Sequence, residues 1–141
     1  MARRSGDFVR NSFRLLPARP HQTQEPTMKL LTQSQLAKLT RNGERSQREP
    51  DFDPHPVVKL FTPDAQCTWL LSEIDPQDTD RAFGLCDLGM GCPELGYVSL
   101  KELAAVRGKL GLPIERDRSF RAKGLLSAYA DNARLWGRIV T

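Results

Sequence analysis

Carboxylates are the side chains whose spacing in this sequence could support chemistry. Five of them fall at the predicted ends of neighbouring strands or in the turns between them: Glu73, Asp75, Asp78, Asp87 and Glu94. In an antiparallel meander these groups could converge on one edge, where clustered carboxylates bind a divalent cation or share a proton for acid-base catalysis. The alternative, which we favour, is a solvated acidic surface that discourages pairing between sheet edges.

Glu73 differs from the other acids in its predicted position. Strict alternation along its strand places it on the same face as Trp69 and Leu71, and therefore at the rim of the core or partly inside it. A buried carboxylate needs a charged or hydrogen-bonding partner. We predict that Arg81 or Arg107 supplies it.

A second candidate surface lies in the arginine-rich part of the chain after Glu115. Four basic residues are candidates for nucleic-acid contact: Arg116, Arg118, Arg121 and Lys123. Aromatic residues are interleaved with the bases at Phe120, Tyr129 and Trp136, and single-stranded nucleic acids bind such combinations by stacking and charge. The alternative, again favoured, is an ordinary solvated flank with its aromatic rings turned inward.

The cysteines and glycines carry no recognisable catalytic or ligand motif. Cys67, Cys86 and Cys92 form no C-x-x-C pair, and the first two sit in predicted strands as small core residues would. No phosphate-binding loop, dinucleotide fingerprint or nucleophile elbow is present. We therefore predict no cofactor and no bound metal, and we do not favour enzymatic activity. An odd number of unpaired cysteines favours a reduced, cytoplasmic protein.

Length and charge predict one domain with a tail. The chain has 141 residues, 39% of them hydrophobic, and a net charge of +4. Residues 1–27 are basic and rich in Pro and Gln, which predicts a disordered tail or an extension before a true start at Met28. Residues 28–141 form the predicted domain, with an acidic stretch from Asp64 to Glu94 and a basic end. No apolar run is long enough to span a membrane.

Hydrophobic periodicity and capping residues predict an α+β fold with an antiparallel sheet of about four strands and two or three helices. Thr32 and Ser99 are predicted N-caps with Gln35 and Glu102 three residues on, and Asn42-Gly43 and Gly111 are predicted helix ends. A final helix is predicted over Leu125–Trp136. The predicted strands are Val57–Thr62, Cys67–Asp75, Ala82–Leu88 and Leu95–Val98.

The order of several short motifs resembles a known bacterial family. FTPD, a Trp-containing strand, ELGYVSLKEL and GLPIERD follow one another between Met28 and about Asp117, and this order is similar to that of the domain of unknown function 2958 family. The resemblance implies a small bacterial protein, often carried on plasmids and other mobile elements. It implies no established activity, cofactor or catalytic residue.

Taken with the missing catalytic motifs, this resemblance predicts an accessory or protein-interaction domain of a bacterial mobile element, with an unidentified protein partner. Two alternatives stay open from the sequence. One is a nucleic-acid-binding protein that uses the basic residues after Glu115, and the other is an enzyme that uses the acidic residues to hold a divalent metal.

Overall fold

The computed structural model describes residues 30–141, which form an antiparallel sheet with helices on both faces. The predicted tail and the alternative start at Met28 lie outside these residues. The elements, in chain order, are α1 (Gln33–Arg48), β1 (Val58–Phe61), β2 (Thr68–Ile74), β3 (Arg81–Asp87), β4 (Glu94–Ser99), α2 (Leu100–Ala105), β5 (Glu115–Arg116) and α3 (Leu126–Trp136). The sheet order is β4-β3-β2-β1-β5, and all described pairings are antiparallel. The predicted α+β class is confirmed, with one short edge strand, β5, added to the expected four.

The sheet separates two hydrophobic cores. One core, here called the Trp69 core, joins the sheet to α1 and α2 through residues that include Leu39, Leu60, Trp69, Leu71, Ile74 and Leu103. The other, the Phe83 core, joins the opposite face to α3 through Leu70, Phe83, Leu85, Tyr97, Leu126, Ala130 and Ala133. None of the helices within residues 30–141 has the length and apolarity needed to cross a membrane.

Helix α1 begins as predicted and ends later than predicted. The Thr32 hydroxyl accepts the backbone N–H of Gln35, and the Gln35 side chain accepts that of Thr32, both at 3.0 Å. Asn42 and Gly43 do not end the helix, because both make contact with β2. The Asn42 amide donates to the Ser72 carbonyl at 2.9 Å, and a Cβ on Gly43 would lie 1.7 Å from the Ile74 carbonyl oxygen. Gly43 thus permits close approach of helix and strand.

A bulge in β2 changes the faces on which its last residues lie. The pairing with β3 shifts between Leu71 and Glu73, so Ile74 joins the Trp69 core and Glu73 lies opposite Phe83 on the other face. The prediction that Glu73 shares a face with Trp69 is therefore wrong. An extra residue in one strand interrupts strict alternation, and nothing in the local sequence marks the position.

Glu73 is buried, with 1% of its surface exposed. Arg81 lies two residues before Phe83 on β3 and therefore on the same face of the sheet. Its guanidinium is 4.2 Å from the centre of the Tyr97 ring. Arg107 instead donates to two carbonyl oxygens at the end of α2. Glu73 and Arg81 both have interaction partners, and their pairing with each other stays a prediction.

Helix α2 also starts as predicted and stops early. The Ser99 hydroxyl accepts the N–H of Glu102 at 3.2 Å and donates to a carboxylate oxygen of Asp80 at 2.5 Å. The helix ends at Ala105 and not at Gly111. After the helix the chain folds back on itself: Arg107 and Pro113 form an isolated antiparallel bridge, and the Asp64 carboxylate accepts the N–H of Leu110 in the turn between them at 2.8 Å.

Candidate interaction surface

Asp87 ends β3 and ties two separate segments together. Only 4% of its surface is exposed. One carboxylate oxygen accepts the N–H of Gly89 in the β3–β4 loop at 2.9 Å, and the other accepts the N–H of Ile139 after α3, also at 2.9 Å. Each bond is charge-assisted and therefore stronger than a neutral one. Asp87 thus fixes the β3–β4 loop beside the segment that follows α3.

Two glycines complete the junction between the loop and the helix end. Gly91 and Gly137 have φ values of 84° and 69°, in the left-handed region that glycine adopts without a steric penalty. A Cβ on Gly137 would lie 3.6 Å from the carbonyl oxygen of Gly91. Gly91 in the β3–β4 loop and Gly137 at the end of α3 are therefore neighbours in space.

Large apolar side chains project from this junction into solvent. Met90 is 66% exposed, Leu135 is 85% exposed and Trp136 is 63% exposed. We call these three residues the apical patch. They belong to the two segments that meet at Gly91 and Gly137, and exposed apolar residues grouped at one place on a surface are typical of interaction sites. Trp136 was expected on the inner side of α3, and that prediction is wrong because the buried stripe runs through Leu126, Ala130 and Ala133.

A groove of about 740 Å³ opens beside the apical patch. Its walls come from the end of β1, the start of β2, the β3–β4 loop and the segment after α3, and its charged residues are Lys59, Asp87, Asp117 and Arg138. The Lys59 ammonium lies 3.6 Å from a carboxylate oxygen of Asp117 and 2.8 Å from the Thr141 hydroxyl. Gly91, Gly137 and Arg138 border both the groove and the patch.

The predicted acidic residues are divided between two ends of the sheet. Glu73, Asp75 and Asp78 lie at the β2–β3 turn, whereas Asp87 and Glu94 lie at the β3–β4 turn. The seven residues of β3 separate the two groups, and a strand of that length spans roughly 20 Å. Within residues 30–141, no group of three or more His, Cys, Asp or Glu side chains is arranged to hold a metal ion.

The acids of the β2–β3 turn shape the backbone. Asp75 accepts the N–H of Gln77 at 2.8 Å, and Asp78 accepts that of Asp80 at 3.2 Å. Such bonds from an Asp side chain to the backbone two residues on are typical of tight turns. Glu94 is exposed at the start of β4. The expected convergence of the five acids on one edge is therefore wrong, and of the acids on the β2–β3 side Glu73 is buried while Asp75 and Asp78 share one turn.

The basic residues proposed for nucleic-acid contact lie at and after β5, the edge strand on the side of the sheet away from β4. Arg116 is partly buried and donates to the Leu30 carbonyl at 3.1 Å. Arg118, Arg121 and Lys123 are exposed, and the two arginines line a groove of about 350 Å³ at the start of α1. Arg121 also donates to the Phe120 carbonyl at 2.9 Å. Nucleic-acid contact by these residues stays a prediction.

Two cysteines are packing residues and the third is exposed. Desolvation raises the pKa of the Cys67 thiol; a hydrogen bond with Thr62 lowers it, and the Asp87 charge raises it. Burial, with a smaller contribution from the Glu94 charge, raises the pKa of Cys86 well above its usual range. Both thiols are therefore neutral at physiological pH. Cys92 lies in the exposed part of the β3–β4 loop, two residues beyond Met90.

The fold and this surface define the class of the chain: a small α+β domain with a five-stranded antiparallel sheet and an exposed apolar patch at one end. A family model described as "Protein of unknown function (DUF2958)" matches residues 30–140. The chain belongs to that family, and the resemblance seen in its sequence motifs is confirmed. Comparisons with curated proteins and with solved structures found no match.

Proposed function

We propose that this chain is a non-catalytic protein-interaction domain that serves as an accessory protein of a bacterial mobile element. The observation that carries the interaction role is the apical patch, formed by Met90, Leu135 and Trp136. The association with a mobile element rests only on the family resemblance.

The composition of the patch fits a protein partner. Trp, Met and Arg are enriched at the centres of protein interfaces, and Trp is among the residues whose removal most weakens binding. Burial of apolar surface contributes roughly 25 cal/mol per Å², so covering three large side chains supplies a useful part of a binding free energy. Asp87 fixes the backbone of the two segments that carry the patch, and this limits the conformational entropy lost on binding.

Substitution of Trp136 tests this role. We expect Trp136→Ser to reduce capture of the native partner from a host lysate by at least about tenfold, because interface tryptophans commonly contribute more than 1–2 kcal/mol. Leu110→Ser is the matched control, since Leu110 is also an exposed apolar residue, at 78%, but follows α2, which packs on the face of the sheet opposite to that of α3. Quantitative mass spectrometry of proteins retained by the immobilised full chain provides the measurement.

Two outcomes would contradict the proposal. One is equal retention of the same proteins by the wild type and by Trp136→Ser. The other is salt-sensitive binding of DNA or RNA that is lost in the Arg118→Glu, Arg121→Glu double variant, since phosphate contacts weaken steeply with salt. The second result would replace the interaction role with the nucleic-acid alternative.

A further inference from the structure

Arg138 lies where the apical patch meets the 740 Å³ groove. It follows Trp136 by two residues, is exposed, and lines the groove. Among residues 30–141 it makes no hydrogen bond or ion pair. An arginine presents five donors in a planar fork that matches a carboxylate.

The other charged groups of the groove already have partners. Lys59 forms an ion pair with Asp117 and donates to the Thr141 hydroxyl. Asp87 accepts hydrogen bonds from the N–H groups of Gly89 and Ile139. Arg138 is consequently the charged group that is left to meet a ligand. Its charge favours a carboxylate on the bound molecule.

The shape of the site favours a narrow ligand over a flat protein surface. The groove volume of about 740 Å³ lies within the range of ~300–1,000 Å³ found for concave ligand sites. Its wall at the β3–β4 loop includes Gly89 and Gly91, and a Cβ placed on Gly91 would have no atom within 4 Å. The wall at Gly91 therefore leaves room for another backbone to approach, whereas the space at Gly89 is filled by Gln66, whose carbonyl oxygen would lie 3.0 Å from an added Cβ.

We propose that the partner binds through an extended acidic–apolar peptide segment, whose apolar side chain packs on Trp136 and whose carboxylate pairs with Arg138. The segment continues from the apical patch into the groove. This inference rests on the proposed interaction role, because it specifies the part of the partner that the same surface recognises. The mode resembles other peptide-recognition sites, in which an apolar anchor supplies affinity and a charged contact fixes orientation.

Selection from a library of random dodecapeptides displayed on phage tests the inference, with the immobilised full chain as bait. We expect the enriched peptides to carry an aromatic or aliphatic residue close to an Asp or Glu. Synthetic versions of these peptides should bind Trp136→Ser and Arg138→Glu at least about tenfold more weakly than the wild type, a loss of 1.4 kcal/mol or more. Leu110→Ser should bind them as the wild type does.

A charge exchange adds a test that a merely structural effect would not pass. Replacing the acidic residue of a selected peptide by Lys should weaken its binding to the wild type and restore its binding to Arg138→Glu, because an opposite pair is re-formed. Failure of this rescue would overturn the pairing of Arg138 with a carboxylate.

Three further results would overturn the inference. The first is no peptide enrichment over a blank surface, and the second is equal affinity of selected peptides for the wild type, Trp136→Ser and Arg138→Glu. The third is a dimer, detected by light scattering, that becomes monomeric in Trp136→Ser, since a second copy of the chain would then cover the patch. If peptide selection fails while lysate capture still depends on Trp136, the interaction role stands and the partner docks through a folded surface.

Discussion

Asp87→Ala is expected to lower the free energy of unfolding by about 3 kcal/mol, because it removes two hydrogen bonds to a buried charged acceptor, each worth about 1.5 kcal/mol. The carboxylate accepts the N–H groups of Gly89 and Ile139 from two segments that are far apart in sequence. Its removal should also release the apical patch from its fixed arrangement. Urea unfolding followed by circular dichroism measures the change in stability.

Two variants provide the controls for Asp87. Asp87→Asn keeps one acceptor oxygen and should lose about half as much stability, since its amide nitrogen cannot accept the second N–H. Asp78→Ala removes an exposed carboxylate that accepts only one turn N–H, and surface changes of that kind usually cost less than about 1 kcal/mol. If Asp87→Ala and Asp78→Ala unfolded at the same urea concentration, this would contradict the role of Asp87 in holding the β3–β4 loop beside the segment after α3.

Gly43→Ala is expected to destabilise the fold by about 1–3 kcal/mol, the usual cost of overpacking a buried contact. The added Cβ would lie 1.7 Å from the Ile74 carbonyl oxygen and 2.9 Å from its carbon, so α1 would have to move away from β2. In an exposed helix the same change would stabilise by about 1 kcal/mol. The sign of the effect therefore distinguishes close packing from helix propensity.

Gly124→Ala is the matched control for that measurement. A Cβ at Gly124 would meet only the Ala128 methyl group, at 3.8 Å, which is an ordinary contact. We expect this variant to be neutral or more stable by up to about 1 kcal/mol, because alanine restricts the unfolded chain. If Gly43→Ala matched Gly124→Ala in thermal or urea unfolding, the contact between α1 and β2 would be looser than described.

Local signals in the sequence predicted where helices start better than where they end. Thr32 and Ser99 act as N-caps through bonds to residues three positions on, and such bonds depend on nearby residues alone. The predicted ends at Gly43 and Gly111 failed because distant partners decide them. Ile74 requires a glycine inside α1, and Asp64 captures the segment after α2.

The positions of the acidic and apolar surfaces also depend on residues that are distant in sequence. Alternation predicted the strands that carry the acids, but the length of β3 and the bulge before Glu73 separate those acids in space. The apical patch was not predicted, because it arises where the β3–β4 loop meets the end of α3. One signal was available: Leu135 and Trp136 are adjacent, and neighbours on a helix point about 100° apart, so they cannot both enter one narrow core stripe.

Site-specific photo-crosslinking at position 136 tests the interaction role most directly. The full chain, carrying a benzophenone amino acid in place of Trp136, is irradiated in its native host, and the same substitution at Leu110 serves as the control. We predict a discrete covalent adduct with one protein partner from position 136 and none from position 110. The same adducts from both positions, or none from position 136, would contradict the assignment of the apical patch as the binding surface.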